Sequence, residues 1–201
     1  MSKTKSEKQP FWLRMLERPK HIGKTNALLL GVAWLIISAI LGWHFRLVPI
    51  SSCGFTVSGY VSLSWMLIYN IIIWVVSCLL LFALAVLRKR STGALETFAR
   101  LLYARWPVTL LMIPAMFESQ RIAYATFMSE PSLCFEQTPV FATLMAIIWT
   151  IVMAWYFYWS YLAFSRAQQK SGVITFIIFV VGFGLSYPLS KIVMTELYAL
   201  M

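Results

Sequence analysis

The basic residues of this chain are sorted into alternate connections between long apolar runs. Lys3, Lys5, Lys8, Arg14, Arg18, Lys20 and Lys24 precede the first run. Arg88, Lys89, Arg90, Arg100 and Arg105 stand between the second and third, and Arg166 and Lys170 between the fourth and fifth. Arg46, Arg121 and Lys191 fall in the opposite set of connections and ends. Lys and Arg are retained on the cytoplasmic side during insertion, so the pattern predicts five crossings, with the N-terminus in the cytoplasm and the C-terminus outside. The expected fold class is all-α: a polytopic membrane protein built as a bundle of five transmembrane helices.

Composition agrees with lipid as the solvent. Hydrophobic residues make up 60% of the 201 and charged residues 12%, more apolar surface than a water-soluble fold of this length can hide. The spans are expected at about 26–46, 63–87, 101–117, 139–164 and 173–194. Residues 1–24 then form a cytoplasmic arm and 25–201 a single membrane domain. In the arm, Pro10 can start a short amphipathic helix with Phe11, Trp12, Met15 and Leu16 on one face. Such a helix suits either the headgroup region or the protein's own cytoplasmic surface. The net charge of +10 is expected to sit beside anionic lipid headgroups, with no nucleic acid as partner.

The third span is the weakest. Its charge-free part, Trp106 to Phe117, is too short to cross at about 1.5 Å per residue, and extending it back to Leu101 brings Arg105 inside. Pro107 and Pro114 each remove a backbone donor there, so a kink is predicted, with another at Pro188 in the fifth span. Upstream, Glu96 and Arg100 are spaced for an i,i+4 pair on an amphipathic helix. The fourth span carries Trp149, Trp155, Tyr156, Phe157, Tyr158, Trp159, Tyr161 and Phe164, read as an interfacial aromatic belt. Gly182, Ser186 and Ser190 form a small-residue stripe on the fifth span, which lets another helix approach closely.

Motifs that carry chemistry are sparse. The sequence offers no metal-protease, nucleophile-elbow or phosphate-loop pattern, and no cofactor is expected. His44, Arg46, Glu118 and Lys191 are assigned to one outer rim, read as solvated ion pairs or as an outer ligand site. Cys53 and Cys134 both fall in outer loops, where an oxidising compartment permits a disulfide, or where they stay as two free thiols.

The Glu17-Arg18-Pro19-Lys20 segment, the Ala104-Arg105-Trp106-Pro107 step into the third span and the Leu189-Ser190-Lys191-Ile192 near the last span's end resemble the Yip family of five-span membrane proteins. The resemblance implies a fold with a cytoplasmic N-terminus and outer C-terminus. It does not carry over GTPase binding, because the long N-terminal region of the eukaryotic members is missing here. Short loops without retrieval signals favour a bacterial inner membrane. The leading expectation is a non-enzymatic membrane protein acting through helix contacts with itself or a membrane-protein partner, in membrane organisation or trafficking. The alternatives are a transporter, channel or permease subunit with a cavity at the proline-broken third span, and a lipid-directed enzyme using Glu118, Glu136 and His44.

Overall fold

The computed structural model describes residues 18–87, 94–168 and 172–199. The arm helix expected from Pro10 onward lies outside the described residues. A short helix α1 (Arg18–His21) leads into α2 (Lys24–Phe45). Arg46 ends α2 in the left-handed region at φ 57°, its N–H directed at the carbonyls of Gly42 and Trp43. That conformation closes a helix end and turns the chain sharply back. The reversal is tight: a Cβ on Gly42 would stand 2.7 Å from the Leu47 carbonyl oxygen, so only glycine fits there.

Two strands follow, β1 (Leu47–Ser51) and β2 (Gly54–Val57), paired antiparallel with Leu47 opposite Val57 and Ser51 opposite Gly54. The pairing shifts between Pro49 and Ser51. Pro49, Ser51 and Gly54 make this stretch look like an outer loop in the sequence. Instead it is a hairpin inserted among the helices, with Leu47, Val48, Ser51, Ser52, Cys53 and Phe55 buried.

Next come α3 (Leu63–Leu87) and α4 (Ala94–Ala104), then a 3-10 helix over Trp106–Met112 and α5 (Ile113–Met116). A 3-10 turn at Glu118–Gln120 precedes two short helices, α6 (Arg121–Ser129) and α7 (Pro131–Gln137). Two long helices, α8 (Pro139–Gln168) and α9 (Val173–Ala199), complete the fold. Among the described residues, α2, α3, α8 and α9 are the helices long and apolar enough to cross a membrane. They expose Leu29, Ile36 and Ile40 on α2, Leu144, Ile147 and Ile151 on α8, and Ile177, Val181 and Leu185 on α9. Such faces are stable only against hydrocarbon.

The expected span at 101–117 is not one helix. Pro107 has no N–H for the Tyr103 carbonyl and its ring crowds that oxygen, so α4 stops at Ala104 and the chain winds on as a 3-10 helix. Pro107 then occupies the first turn of the 3-10 helix and Pro114 the first turn of α5, where a missing donor costs nothing. The broken segment runs alongside α2: Leu102 faces Gly31, Trp106 stacks on Trp34 at 4.9 Å, and Met112 faces Gly42. Pro188 lies within α9, which remains one continuous helix.

Several aromatic residues of α8 form core rather than a belt, while Trp149 and Tyr158 stay exposed. Tyr156, Trp159 and Phe164 are buried, and Phe157, Tyr161 and Phe164 meet Phe176 and Phe179 of α9 with centroids 5.0–6.4 Å apart. Trp159 also stacks on Tyr103 of α4. Edge-to-face and offset pairs of this kind each add about 0.5–1.5 kcal/mol beyond area burial.

Candidate functional site

Arg105 is the group that burial alone would not place where it is. It follows α4 directly, at the break forced by Pro107, and is 1% exposed. Its Nη1 donates to Ser77 Oγ at 2.6 Å, and Ser77 Oγ in turn donates to the Ile73 carbonyl at 2.5 Å. The guanidinium stands over the rings of Trp74, at 5.7 Å, and Tyr156, at 5.9 Å. Its Nε is buried with no hydrogen-bond partner. Among the described residues no carboxylate forms an ion pair with it. Ser77 lies near the middle of α3 and Tyr156 near the middle of α8, so the cation sits at mid-bundle. An ionisable group at that depth is costly and marks a functional hypothesis by default.

A guanidinium carries donors only and no acceptor. What it offers is a planar fork of donors suited to a carboxylate or phosphate, with one donor still free. Among the described residues, other buried polar groups are divided: the Tyr69 and Tyr124 hydroxyls and the Trp155 and Trp159 indole N–H groups also lack a hydrogen-bond partner, whereas Ser38 and Asn70 are paired. Ser38 Oγ of α2 donates to Asn70 Oδ1 of α3 at 2.9 Å, and Asn70 Nδ2 donates to the Met66 carbonyl at 2.9 Å.

The hairpin supplies the second set of polar contacts. Ser52 N–H donates to Ser190 Oγ at 2.8 Å, Trp149 Nε1 donates to the Cys53 carbonyl at 3.3 Å, and the Tyr198 hydroxyl donates to the Pro49 carbonyl at 2.5 Å. From Tyr198 to Ser190 along α9, the hairpin therefore advances from the helix end towards the bundle middle. Its tip wedges between α8 and α9.

The expected site residues divide clearly. Gly182, Ser186 and Ser190 are all buried inside the bundle. A Cβ on Gly182 would come within 2.5 Å of Leu84, and Ser190 holds the hairpin, so the stripe admits α3 and β1 rather than a second molecule. Cys53 and Cys134 are not bridged. Both are free and buried, Cys53 beside Ser52 Oγ and Cys134 Sγ donating to the Ala123 carbonyl. His44, Arg46, Glu118 and Lys191 are all exposed, and among the described residues no ion pair joins them. The Glu96–Arg100 pair forms as spaced, at 2.7 Å. Pro107 and Val108 are packed in the core. Among the described residues no three His, Cys, Asp or Glu side chains are placed to hold a metal ion.

Arg105 is the residue that loop-charge counting misassigned. The signal was present, because a span lengthened back to Leu101 already encloses it. Comparison with known proteins supplies no family: no family model, curated protein or solved structure matches this chain.

Proposed function

We propose that this chain is a five-crossing membrane protein of Yip-like type in a bacterial inner membrane. Its N-terminus is cytoplasmic, its C-terminus outside, and it acts in membrane organisation or trafficking through contacts within the bilayer rather than by catalysis. The third crossing in chain order, added to the four long helices, is the segment from α4 through the 3-10 helix to α5. A 3-10 helix rises about 2.0 Å per residue, so this segment reaches about 36 Å, enough for a hydrocarbon core of about 30 Å.

The observation that carries the reading is the pair of broad apolar faces on α8 and α9, which remain exposed after the small-residue stripe is used internally. Partners in the bilayer would meet those faces, through residues such as Ile147 and Ile177. Cysteine crosslinking from these two positions, with native mass measurement in nanodiscs, tests it. A self-associated or partnered species is expected, and a monomer without companions removes the basis of the reading.

Arg105 favours a second reading, passage or capture of an anionic solute by a transporter or permease subunit. An unopposed cation beside an irregular stretch of backbone is the arrangement such sites use. Anion flux into proteoliposomes, abolished by Arg105→Met, supports this reading; equal flux with and without the protein excludes it.

A further inference from the structure

In one half of the bundle α8 and α9 are zipped together by Phe157, Tyr161, Phe176 and Phe179. In the other half the hairpin tip bonds to both helices, through Ser52 to Ser190 and Trp149 to Cys53. Beside the tip lies a cavity of about 290 Å³. Ile50, Phe127 and Met128 supply apolar wall, Ser51 and Cys53 line the hairpin side, and Trp149 and Tyr187 frame it on α8 and α9.

Where the cavity opens decides what it can hold. Trp149 is 36% and Tyr187 45% exposed. At about 1.5 Å per residue, each lies roughly 15–18 Å along its helix from the end nearest the hairpin base. Exposure at that depth is exposure to hydrocarbon. Leu144, Ile148 and Leu185 are exposed on the same two helices as these framing residues.

We propose that this cleft between α8 and α9 is a binding site for one acyl chain of a membrane phospholipid, which enters sideways from the bilayer and ends against the hairpin tip. The lining is apolar where a chain would lie. The buried polar groups of the lining already have partners: Ser51 Oγ accepts from the Cys53 N–H, Cys53 Sγ lies against Ser52 Oγ, and the Trp149 indole N–H donates to the Cys53 carbonyl, so a hydrocarbon guest breaks none of these contacts. The volume lies just below the usual range for ligand pockets, about 300–1,000 Å³, and suits part of a chain. The chain's helices must cross a membrane for this to hold, so the proposal rests on that part of the functional reading and adds a ligand class to it.

Phosphatidylethanolamine carrying a diazirine near the middle of one acyl chain, mixed into vesicles with the full-length protein, supplies the test. After irradiation, adducts are mapped by peptide mass spectrometry. Adducts on Ile50, Phe127 or Met128, in addition to the exposed faces of α8 and α9, are expected. Ile50→Trp, which fills the cleft, is expected to remove adducts on Phe127 and Met128 while leaving those on Leu144 and Ile177. Adducts on the exposed faces alone, in the wild-type protein, overturn the cleft but leave the membrane reading intact. No adducts on any helix overturns both. The wild-type map decides the matter should Ile50→Trp fail to fold.

Discussion

Removing Arg105 is expected to leave the protein as stable or more stable, against the usual effect of deleting a fully buried side chain. A guanidinium at mid-depth costs about 2.5–3.5 kcal/mol on membrane-insertion scales. Its hydrogen bond to Ser77 returns about 1.5–3 kcal/mol. The contacts with Trp74 and Tyr156 return about 0.5–1 kcal/mol each, because both lie near the outer limit for that interaction. The unpaired Nε adds a cost of about 1–3 kcal/mol, so the sum runs from about 1.5 kcal/mol in favour of the cation to about 4 kcal/mol against it. Arg105→Met keeps much of the stem's packing and removes both sides of this balance. Ser77 is not stranded, since its hydroxyl still donates to Ile73. The variant should be unchanged to about 3 kcal/mol more stable. Ser77→Ala, which leaves the cation without its acceptor, should be about 2–4 kcal/mol less stable. In the double variant the Ser77 penalty should fall below about 1 kcal/mol, a coupling that a double-mutant cycle reads directly. Reversible denaturation in mixed micelles or bicelles measures all three. Loss of more than about 2 kcal/mol in Arg105→Met with a silent Ser77→Ala refutes the reasoning, and would make the cation a structural keystone.

Gly182→Leu should destabilise by about 1–3 kcal/mol in the same assay, because a Cβ there already meets Leu84 and Leu81. Gly184→Leu is the control: nothing lies within 4 Å of its Cβ position, so stability should be unchanged or slightly raised. Ser190→Ala strands the buried Ser52 N–H and should cost about 1–3 kcal/mol, with faster hydrogen exchange confined to the hairpin. Reduction should cause no shift in electrophoretic mobility. Maleimide labelling of Cys53 and Cys134 should be slow until the protein is denatured, since both thiols are free and buried; a reducible bridge would contradict the packing around them.

The features legible in the sequence depend on local composition. Four long apolar runs became four long helices, Glu96 and Arg100 met at their spacing, and the helix broke at Pro107 for want of a single N–H. The hairpin was not legible because its strands span five and four residues and include Pro49, Ser51 and Gly54, which read as loop. Its pairing is stabilised by burial among α2, α3, α6 and α9, which no local pattern encodes. The stripe at Gly182, Ser186 and Ser190 announced a close neighbour without saying whose, and the neighbours are α3 and the chain's own hairpin. The aromatic run on α8 is equally compatible with a belt and a core, and only the facing Phe176, Phe179 and Phe183 decide between them. Arg105 was counted with the cytoplasmic charges because the sorting rule weighs sign and order along the chain, while depth comes from tertiary packing.

The central claim is that the segment from α4 to α5 carries the chain from one membrane face to the other, taking Arg105 to mid-bilayer. Paired reporters at the two ends of the chain, one active only in the cytoplasm and one only outside it, test this most directly. The account predicts a cytoplasmic signal at Met1 and an external one after Met201. Signals from a single compartment at both ends would mean four crossings, with residues 94–117 returning to the face they left.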